Sequence, residues 1–238
     1  MQTHLTYNKR HWWPHSDKKT TMALAIFDLD NTLLGGDSDY LWGEYLVENN
    51  FVDSESYQQS NQHFYDQYLA GTMDIFEFSA FQFTPLADNS MTTLLAWRDD
   101  YLSKKIEPII LPAAKQLIQK HQQQNDTLLI ITATNSFITR PIADKLNIPN
   151  LIATEPEMIN GQFTGQVDGM PSYQQGKVVR LEQWLIEQNR TIEDSYFYSD
   201  SHNDLPLLER VTHPVAVDSD DKLTAIAQQR GWPILSLR

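Results

Sequence analysis

Phe27-Asp28-Leu29-Asp30-Asn31-Thr32 ends the apolar run Leu24 to Phe27 with two carboxylates. Residues two apart in an extended chain share a side, so Asp28 and Asp30 would face each other's charge at the mouth of a buried strand. A cation or a proton must sit between such a pair, and a divalent metal is the economical choice. Open α/β sheets place their ligand sites beyond the carboxyl ends of parallel strands. From these residues alone, a helix cap or an Asx-turn after a strand stays open as the other reading.

Outward from this stretch, short apolar runs alternate with helical patterns, the sequence sign of a parallel sheet covered by helices. Strands are expected at 24–27, 128–131, 151–153, 195–198, 214–217 and 234–237, and helices at 112–122, 137–146, 173–187 and 221–230. Asn160-Gly161, inside 158–167, predicts a β-hairpin. About a hundred residues separate the first two strands, too many for one crossover. Residues 37–110 carry aromatics at helix-like spacing and predict an inserted helical domain, with 22–36 and 111–238 forming the core domain. The aromatic stripe is expected to be the insert's own core rather than a ligand cage.

The 238 residues are 41% apolar and 21% charged, ordinary for a globular protein. No window approaches the roughly 20 apolar residues of a membrane span, and no secretory leader pattern is present, so a soluble, cytoplasmic protein is expected. The absence of cysteine excludes disulfides, thiol nucleophiles and thiolate metal sites, and leaves hard oxygen ligands and magnesium. A net charge of -13 argues against a nucleic-acid partner. Residues 37–110 account for most of it, with 13 acidic residues against Arg98, Lys104 and Lys105. Most of those acids read as a solvated face, although the field would favour a cationic substrate. Residues 1–21, basic and His-rich without apolar period, are expected to be a disordered extension.

Three later signals also fall at strand ends or helix starts. Leu128 to Ile131 runs into Thr132-Ala133-Thr134-Asn135, where a hydroxyl and helix-opening N–H groups suit a phosphate. Gly176-Lys177 opens an amphipathic run and would let Lys177 reach an anion. Tyr198-Ser199-Asp200-Ser201-His202-Asn203-Asp204 repeats the first design, with acids after a strand.

This ordered set resembles the haloacid dehalogenase superfamily of aspartate-nucleophile phosphatases over residues 22–238, in particular subfamily IB, which contains phosphoserine phosphatase. The resemblance implies an α/β, Rossmann-like parallel sheet core with helices on both faces and an inserted helical cap of the C1 type. It also implies a magnesium-dependent phosphoric monoester hydrolase acting on a small molecule through an aspartyl-phosphate. Asp28 would be the nucleophile and Asp30 the general acid and base. Magnesium would lie on Asp28, the Asp30 backbone carbonyl and Asp200, with Asp204 orienting its water shell. Thr132, Lys177 and Asn203 would contact the phosphoryl group, and His202 is expected to be a turn residue.

Asp37, nine residues after Asp28, matches the position at which phosphoserine phosphatases carry an acid for the substrate ammonium. An acidic, aromatic cap with few bases suits an aminated phosphate without a carboxylate. The chain is also similar to a proteobacterial group with assigned histidinol-phosphatase activity, so L-histidinol phosphate is the expected substrate. Phosphoserine, a broad substrate range, and a silent metabolite-binding regulator are the alternatives.

Overall fold

A computed structural model describes residues 22–238. The expectation for residues 1–21 lies outside them. Along the chain stand β1 (Leu24–Phe27), α1 (Ser38–Glu48), α2 (Ser54–Ala70), α3 (Ile75–Ala87), α4 (Met91–Tyr101), α5 (Pro112–Gln123), β2 (Thr127–Asn135), α6 (Ser136–Lys145), β3 (Asn150–Thr154), β4 (Pro156–Ile159), β5 (Gln162–Val167), α7 (Gln175–Glu187), β6 (Ser195–Ser199), α8 (Leu205–Leu208), β7 (His213–Val217), α9 (Asp221–Arg230) and β8 (Ile234–Leu235).

Six strands form one parallel sheet in the order β3-β2-β1-β6-β7-β8. Alternation along the strands separates two apolar layers. Ala25, Phe27, Leu128, Ile130, Val215 and Val217 face α5 and α6, through Leu117, Ile118, Ile138 and Ile142. Leu24, Ile26, Leu129, Ile131, Phe197 and Ala216 face α7, α8 and α9, through Val178, Leu181, Leu207 and Leu223. Burial on both faces explains why these strands read as apolar runs rather than alternating ones.

β1 is central, with β2 on one side and β6 on the other, so the order reverses there and opens a crevice at its carboxyl end. The chain leaves the sheet and returns at adjoining points. Leu34 and Ile110 form an isolated antiparallel bridge, and Leu111 N–H donates to Leu33 O at 3.2 Å. Between them α1 to α4 make the helical cap, and the hairpin of β4 and β5 turns at Asn160-Gly161, both at positive φ.

The aromatic stripe divides. Trp42, Tyr45 and Tyr101 are buried and pack together at ring separations of 5.1 to 5.7 Å, joining α1 and α4 to the same apolar cluster as Phe27 and Phe137. Phe64, Tyr65, Tyr68 and Phe78 line a cavity over the sheet instead. For these four the expectation of a pure core was incomplete, because helical spacing alone does not distinguish a face turned to the protein interior from one turned to a cleft.

Candidate active site

Asp28 follows β1 and its N–H donates to Tyr198 O at 2.9 Å, extending the ladder by one residue. The chain then turns, with Asn31 in the left-handed region at φ 55° and Leu33 N–H donating to Leu29 O. This turn brings Thr32 back under the site. Its hydroxyl accepts from Asp200 N–H at 3.1 Å and lies 3.4 Å from both Asp28 Oδ2 and Asp200 Oδ1.

Lys177 Nζ sits 2.8 Å from Asp28 Oδ1 and 2.7 Å from Asp204 Oδ1, with all three side chains buried. Gly176 makes that approach possible. A Cβ built there would lie 2.1 Å from Pro171 O, so only glycine lets the first turn of α7 come so close. Burial alone opposes the lysine's charge, but Asp204 and Asp28 outweigh it and hold Lys177 above its ordinary value. Ser199 Oγ also donates to Asp204 Oδ2, at 2.7 Å.

Asp30 turns away from Asp28. Its Oδ1 accepts from Ser38 N–H at 2.6 Å and its Oδ2 from Thr134 Oγ1 at 2.8 Å, with Thr132 Oγ1 at 3.4 Å. Thr134 was not singled out in the sequence. The signal was present, since Thr132 and Thr134 are two apart on an extended segment and share a side. Of the two, Thr134 lines the cavity, while Thr132 is buried behind it.

Burial drives the carboxylates toward the protonated form. Asp28 is raised to about 7, by burial first and then by Asp204 and Asp30 against the opposing pull of Lys177. Asp30 is raised to about 6, by burial and then Asp37. Burial, Asp28 and Asp204 hold Asp200 well above the ordinary value. Clustered perturbed groups in a cleft are a mark of chemistry.

Asn203 joins cap to core. Its Nδ2 donates to Tyr68 O on α2 at 2.9 Å, and its Oδ1 accepts from Gln174 Nε2 at 3.1 Å and Tyr173 OH at 3.3 Å. Gln174 is held at φ 46°, ψ -118°, a region costly for any side chain, and such strain gathers at functional sites. His202 lies in a single 3-10 turn, where its Nδ1 pairs with Asp220 at 2.8 Å, outside the cavity lining.

The cavity has about 580 Å³ free of protein atoms, its open mouth included. Asp28, Asp30, Asp37, Lys177, Asn203 and Asp204 all line it. Among the described residues Lys177 is the only base in the lining. The cap's own bases point elsewhere: Arg98 donates to Phe137 O, Lys104 pairs with Asp100, and Lys105 with Glu48. Asp39, on α1 between Ser38 and Tyr40, also lines the cavity and is only 6% exposed. Burial, Asp37 and Asp30 push it well above the ordinary carboxylate value. Nothing in the sequence distinguished it from the other acids of the cap.

No group of three or more Asp, Glu or His side chains is arranged as a cation cage among the described residues. Asp28, in the cavity lining, and Asp200, outside it, are bridged by Thr32 and still offer two hard carboxylates close together. That donor set fits magnesium, which binds through one or two carboxylates and fills its other positions with water and substrate oxygens.

The haloacid dehalogenase-like hydrolase profile matches residues 25–209. The chain belongs to this family. It is 42% identical over 219 residues to a histidinol-phosphatase of Neisseria meningitidis, covering 90% of this chain and 99% of that protein. A Bordetella pertussis protein of unknown function superposes with a TM-score of 0.87 at 40% identity, over 92% of this chain and all of that one. A substrate-bound phosphoserine phosphatase superposes at 0.68 with 14% identity, over 92% and 95% of the two chains, and that likeness shows the shared fold. This family member is a phosphoric monoester hydrolase. Among the described residues no helix is long and apolar enough to cross a membrane.

Proposed function

We propose that this phosphatase is magnesium-dependent, works through an aspartyl-phosphate on Asp28, and takes L-histidinol phosphate as its substrate. The observation that carries the reading is the pairing of Lys177 with Asp28 at 2.8 Å beneath an acidic, aromatic cavity. Residues 22–36 and 111–238 form the catalytic half in this reading, and residues 37–110 the cap. The bridge between Leu34 and Ile110 supports that division.

The Asp28 carboxylate attacks phosphorus in line, and the bond to the leaving oxygen breaks as Asp30 delivers a proton to it. Water then attacks the aspartyl-phosphate and gives its proton to Asp30, which releases inorganic phosphate and restores Asp28. Lys177 moves from the Asp28 carboxylate to the phosphoryl oxygens, whose charge it neutralises. Asn203, in the lining, completes that cradle, with the Thr132 hydroxyl buried behind it. Magnesium, held by Asp28, Asp200 and the Asp30 carbonyl with Asp204 behind them, would lower the repulsion between anionic nucleophile and anionic ester. A value near 6 suits Asp30 to both proton steps.

Asp37 receives the substrate ammonium. The N-terminal N–H of Tyr40 fixes its carboxylate at 2.8 Å. Phosphoserine would carry a carboxylate into a lining whose only base among the described residues is committed to phosphate, which favours an amine without one. The Neisseria relative's name supports the same substrate.

Phosphate release with magnesium should be measured for L-histidinol phosphate, phosphoserine, phosphoethanolamine and p-nitrophenyl phosphate. The highest kcat/KM is expected for L-histidinol phosphate. A preference for phosphoserine overturns the substrate, and no release from any ester overturns the mechanism.

A further inference from the structure

The two acids at the start of α1 have different surroundings. Asp37 lies beside the reacting centre, close enough for the Asp28 charge to act on it, and the Tyr40 N–H partners its carboxylate. Asp39 is buried, and among the described residues its carboxylate has one long hydrogen bond, 3.4 Å from Asn135 Nδ2. Among the described residues no lysine, arginine or histidine pairs with it. A buried carboxylate without a counter-charge is costly unless something donates to it, and Asp39 opens on the cavity, from which a ligand can donate.

The walls beside it suit a flat ring. Tyr40 and Tyr65 stand 4.8 Å apart, and Phe64 and Phe78 meet at 5.5 Å, edge to face. Aromatic walls hold planar and cationic rings, while one polar group among them fixes orientation.

Resting on the substrate reading above, we infer that Asp39 is the specificity-determining residue for the heteroaromatic end of the substrate. Its carboxylate accepts the ring N–H, and Asp37 takes the amine nearer to phosphorus. A ring without an N–H leaves Asp39 buried and unpartnered, and that loss, rather than ring size, rejects it.

The test compares L-histidinol phosphate with L-phenylalaninol phosphate, which keeps the amine and a ring but has no ring N–H. Wild-type enzyme is expected to favour the first by about 100-fold or more in kcat/KM. Asp39→Asn should shrink that ratio to about tenfold or less, mainly through a higher KM for L-histidinol phosphate. A ratio within about twofold of wild type in Asp39→Asn overturns the inference. Should the variant fail to fold, wild-type enzyme with the two ring-N-methyl isomers of L-histidinol phosphate gives the same decision. One isomer is expected to lose about tenfold or more in KM, and two isomers equal to the parent overturn the inference. If wild-type enzyme does not hydrolyse L-histidinol phosphate, it is the substrate reading that falls.

Discussion

Asn203 donates its side-chain amide to the backbone carbonyl of Tyr68 at 2.9 Å, fastening the end of α2 to the loop after β6. Lys222 Nζ reaches Ala70 O at 3.3 Å beside it, and α2 ends at Gly71 with φ 78°. A Cβ on Gly71 would lie 2.8 Å from His202 Nε2, so this glycine serves both the helix end and the contact.

Gly71→Ala should therefore loosen the cap as well as strain the backbone. A loss of about 1 to 2 kcal/mol in urea denaturation is expected, with a raised KM for the substrate. Unchanged KM would show that this contact does not govern entry to the cavity.

Asp28→Asn should abolish turnover while leaving the circular dichroism spectrum unchanged, since an amide cannot form the acyl phosphate. Asp30→Asn should cost about 10² to 10⁴ in kcat for an alkyl phosphate. The loss should be smaller for p-nitrophenyl phosphate, whose leaving group needs no proton. Equal losses on both esters would remove Asp30 from the acid role.

Asp200 offers a pH test with a definite sign. A carboxylate raised above its unfolded value of 3.8 makes the folded chain bind more protons, so its stabilising share is lost as pH rises. For Asp200 the window opens above that unfolded value and lies on its alkaline side. The Tm of the metal-free protein should be higher at pH 7 in Asp200→Asn, by an amount equivalent to about 0.5 to 2 kcal/mol. Its dependence on pH across that window should be shallower, and magnesium should raise Tm less than in wild type. A lower Tm at pH 7 would contradict this electrostatic account.

His121 is 1% exposed and joins three elements away from the cleft. Its Nδ1 pairs with Asp126 Oδ2 at 2.8 Å, its Nε2 with Tyr198 OH at 2.9 Å, and Asp126 Oδ1 accepts from Ala23 N–H at 3.0 Å. His121→Leu should destabilise the protein by about 3 to 5 kcal/mol, because it leaves a buried carboxylate and a hydroxyl without that partner. KM for the remaining folded enzyme should be unaltered, and a changed KM with intact stability would reverse that assignment.

Much of this architecture was legible because local and global signals agree. The run Leu24 to Phe27 is β1, and the doubly buried strands, the Asn160-Gly161 turn and the amphipathic helices lie within a few residues of their expected bounds. β2 extends to Asn135 rather than ending near Ile131, since Thr132 and Thr134 remain extended to meet Asp30. What the sequence hid depends on long-range placement. Asp39 looked like one more solvated acid, and its burial arises from how α1 enters the cleft. The strain at Gln174 likewise comes from hydrogen bonds to Tyr173 and Asn203 that no local pattern encodes.

The apolar cluster running from Phe27 through Phe137 to Trp42, Tyr101 and Phe83 has no seam between sheet and cap. A molecule without such a seam has no natural line along which to melt in parts. Heating should give one endotherm, with calorimetric and van't Hoff enthalpies in agreement. Substrate must then enter through small displacements at the cavity mouth about an intact interior, and release of the alcohol product falls to those same small motions.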